Sequence, residues 1–208
     1  MRIEAAKAAS RPPSRPPLVV IGASAGGPAA LAVLLKGLPV GFPAAVVIVQ
    51  HVDERFIEGL AQWLAEQSNL PVRLAREGER LEVGTVLLAG AGGHLTMRAD
   101  GRLGYDHEPR AHAYCPSIDV FFHSVCERWS GRAVGVLLTG MGADGALGLK
   151  ALRLKGNHTI AQDRATSAVY GMPKAAAAAE AAVDILPLDR IAARLARAFP
   201  VMATGDEA

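Results

Sequence analysis

Residues 18–28 read Leu18-Val19-Val20-Ile21-Gly22-Ala23-Ser24-Ala25-Gly26-Gly27-Pro28, and how this stretch folds decides the architecture. Four apolar residues in a row, three of them β-branched, predict a strand buried on both faces, because a half-exposed strand would alternate apolar and polar. Proline suits the first turn of a helix, where its missing N–H has no partner to lose. A helix is therefore expected over residues 28–36, stopped by Gly37. Strand, glycine-rich turn and helix follow each other within about twenty residues.

The same unit recurs outward along the chain. Residues 44–50 (AAVVIVQ) form a second apolar run, followed by a helical stretch at 55–67. Residues 72–76 and 85–89 read as strands, and 95–105, with Ala99-Asp100-Gly101 at its centre, as a β-hairpin. An amphipathic helix is expected at 117–129, where Ile118, Phe121, Phe122, Val125 and Trp129 share one face as core residues. A third apolar run at 133–139 precedes a helix at 145–155. Beyond it come a strand at 158–161, an alanine-rich helix at 174–182, a strand at 183–186 and a helix at 191–199. Short apolar strands alternating with helices specify an α/β fold: doubly wound, Rossmann-like, a mainly parallel sheet with helices on both faces and a small β-hairpin. Residues 1–17, with four prolines, are expected to be a flexible leader or linker remnant, 18–200 the folded domain, and 201–208 a tail.

Composition narrows the function classes. Half of the 208 residues are apolar and a fifth are charged, which excludes a disordered chain. Basic residues number 22 and acidic ones 20, with no lysine-rich block, so nucleic acid is not an expected partner. Aromatics make up only 5%, too few for a base-stacking surface. No apolar run approaches the ~20 residues of a membrane span, and residues 1–17 lack a signal peptide's apolar core. Two distant cysteines, Cys115 and Cys126, suit neither a disulfide framework nor a zinc site. A cytoplasmic protein without membrane insertion is expected.

In open parallel sheets ligands bind beyond the carboxyl ends of the strands, where strand order reverses. Three reactive side chains fall at such ends: Ser24 after the first strand, His51 after the second, and Asp144 after residues 133–139. Gly22-x-Ser24-x-Gly26 fits a nucleophile elbow, a strained strand-to-helix turn that projects a serine hydroxyl. A serine needs a base to take its proton, and a histidine needs an acceptor to fix its tautomer. Each residue also has a plainer reading: a tight or phosphate-cradling turn, a structural histidine, a helix-capping aspartate. A rival reading takes Gly140-x-Gly142-x-x-Gly145 with Asp163 as a dinucleotide fingerprint, giving a dinucleotide- or protein-binding module without hydrolase activity. Against it, Asp144 would place a negative charge inside a pyrophosphate loop.

The segments around these residues resemble the catalytic domain of the chemotaxis protein-glutamate methylesterases, the CheB family. They are Ile21-Gly22-Ala23-Ser24-Ala25-Gly26-Gly27, Val49-Gln50-His51, Pro116-Ser117-Ile118-Asp119-Val120-Phe121-Phe122-His123-Ser124, Leu138-Thr139-Gly140-Met141-Gly142-Ala143-Asp144-Gly145 and Gly171-Met172-Pro173. The resemblance runs from about residue 19 to 195. It implies a cofactor-free serine hydrolase that cleaves glutamyl methyl esters on chemoreceptors and in many members deamidates receptor glutamines. Ser24, His51 and Asp144 match the family's catalytic positions; Ala25, Gly26, Met141 and Gly142 fall in its oxyanion and active-site loops. Implied partners are the cytoplasmic helices of methyl-accepting chemoreceptors, and a receiver domain, in cis or in trans, with its histidine kinase.

The chain departs from the family pattern in three places. Ala25 stands where threonine is common, Cys115 where arginine often precedes Pro-Ser, and Val52-Asp53-Glu54-Arg55 where Pro-Pro-Gly is frequent. These put receptor recognition in question more than the three reactive residues. Of the remaining histidines, His94 has a substrate-side or a loop-bonding reading, His107 and His112 flank Glu108 in what reads as a solvated loop without metal, and His123 and His158 read as structural. Cys126 reads as a core residue. Arg73, Arg76, Arg80, Arg98, Arg102 and Arg110 form a scattered basic stretch, either a solvated surface or a face for acidic receptor helices.

Overall fold

The computed structural model describes residues 15–108 and 114–200. The expectations for most of the leader, for Arg110 and His112, and for the tail at 201–208 fall outside the described residues. β1 (Leu18–Ala23), β2 (Ala45–Gln50), β3 (Val72–Leu74), β4 (Val86–Leu88), β7 (Ala133–Leu137), β8 (His158–Gln162) and β9 (Asp184–Leu186) form one seven-stranded sheet, in the order β3-β4-β2-β1-β7-β8-β9. Every pairing in it is parallel. The chain winds outward from β1 through β2 to the β3 edge. It then returns to β7 on the other side of β1, so strand order reverses beside β1.

The hairpin pairs β5 (His94–Met97) with β6 (Leu103–Asp106) in antiparallel fashion. The Asp100 carboxylate accepts the Arg102 amide at 3.0 Å in the turn, the local bond expected of a turn aspartate.

Helices cover both faces. The residue parity of β1 sends Val19 and Ile21 to one side and Leu18 and Val20 to the other. On the first side pack α1 (Gly27–Gly37), α2 (Glu54–Gln67) and α6 (Leu188–Ala198), through Leu31, Leu34, Leu35, Ile57, Leu64, Ile191 and Leu195. On the second lie the hairpin, α3 (Ile118–Arg128), α4 (Ala146–Leu154) and α5 (Met172–Ala178), through Ile118, Phe121, Phe122, Leu149 and Leu152. Fully burying each such side chain is worth about 1.5–3 kcal/mol, which fixes the strand register that aligns the rim.

The expected leader needs one correction. Residues 15–17 are held in the fold: Arg15 lies 5.1 Å over the Trp129 ring, and the Pro17 carbonyl accepts the Ala45 amide at 2.9 Å. The Arg15 cation and the strand ladder thus hold residues 15–17 against the domain.

Candidate active site

The site is assembled at the carboxyl rim of β1, β2 and β7. Ala23 pairs with Gln50 in register, so Ser24 and His51 each directly follow paired residues at the ends of adjacent strands. Three bonds tie this end together. The His51 amide donates to the Ala23 carbonyl at 3.0 Å, and the buried Gln50 amide group donates to the Ser24 and His51 carbonyls at 2.9 and 2.8 Å. From the other side, the Ser24 amide donates to the Thr139 carbonyl at 3.0 Å.

Gly140 makes that approach possible. A Cβ there would lie 2.7 Å from the Ser24 Cβ and 2.3 Å from the Met172 sulfur, so only glycine lets the loop after β7 close on Ser24.

The strained dihedral of this turn falls on a glycine and not on Ser24. Among the described residues only Glu180 has a positive φ without being glycine. The left-handed step is taken by Gly26, at φ 77°, which caps α1. The turn therefore projects Ser24 without storing strain at it.

His51 and Asp144 meet directly: His51 Nε2 lies 2.8 Å from Asp144 Oδ2, with side chains only 9% and 6% exposed. The sequence offers two roles for this aspartate: the acceptor that orients His51, or the cap of the helix that follows it. It caps neither α4, whose cap is Gly145, nor any helix nearby in sequence. Instead its carboxylate accepts the amides of Ile118 and Asp119 at the start of α3, at 2.7 and 3.0 Å, and the Ser117 hydroxyl at 2.9 Å. The Gly145 amide adds a contact at 3.1 Å. Burial pushes the Asp144 carboxyl up, but the bonds from His51, Asp119, Ile118 and Ser117 outweigh it and hold it below the ordinary carboxylate value. A helix N-terminus favours the anion further.

An ionised carboxylate only accepts, so Nε2 of His51 must carry the proton. Nδ1 is then the basic nitrogen. It is buried, and neither Ser24 nor any other described residue bonds it. Apo geometry of this kind is often looser than the reacting complex. Against the ring face lies Tyr114, stacked at 4.3 Å and 8°.

The backbone around Ser24 sorts its donors. The Ser24 and Gly27 amides are used internally, Gly27 bonding the Ser24 carbonyl at 2.7 Å. The amides of Ala25, Gly26, Met141 and Gly142 donate to no backbone carbonyl among the described residues, and all four residues are exposed.

Other sequence candidates separate from the site. His94 is buried in β5, and its Nδ1 accepts the Ser117 amide at 3.0 Å, so it steadies the start of α3. His123, expected to be structural, is exposed on α3. Cys126 bonds the Ala151 carbonyl at 3.4 Å beside α4, and Cys115 is exposed. Much of the basic stretch is internally paired: Arg73 with Glu79, Arg98 with Asp106, and Arg102 with Asp100. This argues for the solvated-surface reading over a free basic face. The Val52–Arg55 departure has a local reason, because Asp53 caps α2 through the Arg55 amide at 3.0 Å. Asp163, the acid of the rival fingerprint, is occupied in its own turn by the Thr166 amide and hydroxyl.

Sequence reasoning missed Tyr114, Gln50 and the α3 amides. Only Ser117, an N-cap type ahead of an apolar helix, carried a readable signal.

A doubly wound sheet with a buried histidine–carboxylate pair and a half-buried loop serine at its switch point defines a Rossmann-like α/β protein. Residues 19–195 match the family described as CheB methylesterase, and the chain belongs to that family. It is similar to protein-glutamate methylesterase/protein-glutamine glutaminase 1 of Bordetella avium (strain 197N), at 67% identity over 182 residues, covering 88% of this chain and 53% of the relative. Similarity to protein-glutamate methylesterase/protein-glutamine glutaminase 2 of Pseudomonas syringae pv. syringae (strain B728a) is 62% over 195 residues, covering 94% of this chain and 58% of the relative. The chain thus spans a little over half the length of these curated relatives. The crystal structure of the Thermotoga maritima CheB methylesterase catalytic domain superposes with a TM-score of 0.84 at 34% identity, covering 89% of this chain and 99% of that one. The fold class read from the sequence is therefore correct, and the family favours the hydrolase over the dinucleotide-binding rival.

Proposed function

We propose that this chain is a serine hydrolase that removes methyl groups from glutamate methyl esters on chemoreceptor cytoplasmic domains, and that it also deamidates receptor glutamines, in a chemosensory pathway. The observation that carries the reading is the buried His51–Asp144 pair, its carboxylate held ionised by the start of α3 and its histidine one strand over from Ser24. The names of the relatives supply the substrate.

In the proposed reaction His51 Nδ1 takes the Ser24 proton as the hydroxyl attacks the ester carbonyl. The same nitrogen returns the proton to departing methanol, leaving a glutamyl ester on Ser24. Water, deprotonated by His51, then releases the carboxylate and restores the serine. With a glutamine substrate the leaving group is ammonia. Asp144 stabilises the imidazolium formed in both steps. The free amides of Ala25, Gly26, Met141 and Gly142 supply donors for the oxyanion. The partners are the cytoplasmic helices of the receptor, which puts the activity in the cytoplasm, together with a receiver domain, in cis or in trans, and its histidine kinase. No cofactor enters.

The test is methanol release from a methylated receptor. Wild type is expected to release methanol and Ser24→Ala none; equal release from both would end the reading.

A further inference from the structure

Tyr114 has no evident role in holding the fold together. It belongs to neither hydrophobic cluster, its side chain is half-buried, and its hydroxyl makes no hydrogen bond among the described residues. Yet its ring lies flat on the His51 imidazole, centroids 4.3 Å apart and planes within 8°. Its hydroxyl reaches the opposite wall of the site, 3.0 Å from where a Cβ on Gly142 would stand. The ring therefore spans from the histidine to the loop that carries Asp144.

We infer that Tyr114 is a positioning residue for the proposed hydrolysis, acting through the face of His51; this rests on the reading above. Three physical effects follow from the stack. A flat ring against the imidazole prevents its rotation, which keeps Nε2 on Asp144 and Nδ1 available as the base. It removes water from one face of the pair, which strengthens the attraction between imidazolium and carboxylate. An aromatic face also attracts a cation more than a neutral ring, so it favours the imidazolium formed when Ser24 is deprotonated. All three require the ring and none requires the hydroxyl.

Among the described residues, the charged group in contact with His51 is Asp144. Asp144 touches it from the loop after β7, and Asp119, at the start of α3, sits behind Asp144. The nearest charges in sequence, Asp53 and Arg55 at the start of α2, are paired with each other and exposed. None of these could replace an aromatic face.

The test compares phosphonylation rates of Ser24 by a fluorophosphonate probe in wild type, Tyr114→Phe, Tyr114→Leu and Tyr114→Met. Tyr114→Phe should react within about 2-fold of wild type, while both ring-less variants should slow roughly 10-fold, the scale of a desolvated cation–π contact. The His51 ring-proton resonances, shifted by the stacked ring in wild type and Tyr114→Phe, should lose that shift in the ring-less variants. Leucine and methionine fill similar volume, so one serves if the other folds poorly. Ring-less variants at the wild-type rate would overturn the inference, as would a Phe variant as slow as Leu. Absence of labelling in wild type would instead overturn the hydrolase reading, and the resonance shift would still report the stack.

Discussion

The sheet carries two histidine–aspartate pairs of nearly equal length at opposite rims, and only one is built for chemistry. At the carboxyl rim, His51 and Asp144 lie 2.8 Å apart, 9% and 6% exposed. At the amino rim, His158 opens β8 and Asp184 opens β9, 2.7 Å apart but 23% and 28% exposed. Distance does not distinguish them; their surroundings do. Asp144 is served by neutral donors, the amides and hydroxyl at the start of α3, so its charge remains for the histidine. Asp184 shares the same oxygen with the Arg194 guanidinium at 2.8 Å, and Arg194 also reaches His158 Nδ1 at 3.4 Å. The arginine claims the carboxylate's charge and occupies the nitrogen a base would need. A buried pair with one free ring nitrogen can move a proton; a pair closed by arginine pins an edge strand to α6.

Exchanging the acceptor for an amide breaks this contrast most strongly. Asp144→Asn keeps the shape but offers a donor and no charge, so His51 loses both its fixed tautomer and its counter-ion. Turnover of a methyl ester should fall about 10⁴-fold, as in a protease triad altered the same way. Methanol release at saturating substrate checks this.

The pH dependence of stability sharpens it. Burial raises the Asp144 carboxyl and hydrogen bonds, His51's first, lower it further, so the net shift is downward. A depressed folded value contributes stability that is complete above the unfolded value, ~3.9, and lost as pH falls through the folded one. Denaturant melts between pH 6 and pH 2 should therefore show a flatter acid limb in Asp144→Asn than in wild type.

Asp184→Asn at the other rim should leave methanol release within about 2-fold and cost about 0.5–1 kcal/mol of stability, since a partly exposed ion pair is weak. Asp184 is also raised by burial and lowered more by Arg194 and His158, so its acid-limb sign is the same. Loss of activity in this variant would erase the distinction between the rims.

Asp119 gives the smallest effect and the opposite sign. Burial raises its carboxyl, with the neighbouring Asp144 charge adding to the rise, while the Gly148 amide works against it. A raised acid destabilises the fold once ionised. Asp119→Asn retains an acceptor for Gly148 and should be neutral to slightly stabilising at pH 7, a Tm change of at most a few degrees by thermal melting.

The fold was legible because burial on both faces leaves unbroken apolar runs, as at Val46-Val47-Ile48-Val49, and because Gly and Pro mark the turns. Ser24, His51 and Asp144 were legible because strand ends can be counted. What surrounds them was not. Asp144 is held by amides some 26 residues earlier in the chain, and backbone amides carry no residue signature. Tyr114 meets His51 across 63 positions through a loop whose path no periodicity encodes.

Trapping the nucleophile tests the central claim most directly. Wild type and His51→Ala are treated with the fluorophosphonate and the adduct is located by peptide mass mapping. One adduct, on Ser24, is predicted in wild type, with the rate falling 10²–10⁴-fold without the histidine base. An adduct on another residue, or undiminished labelling without His51, would contradict the account.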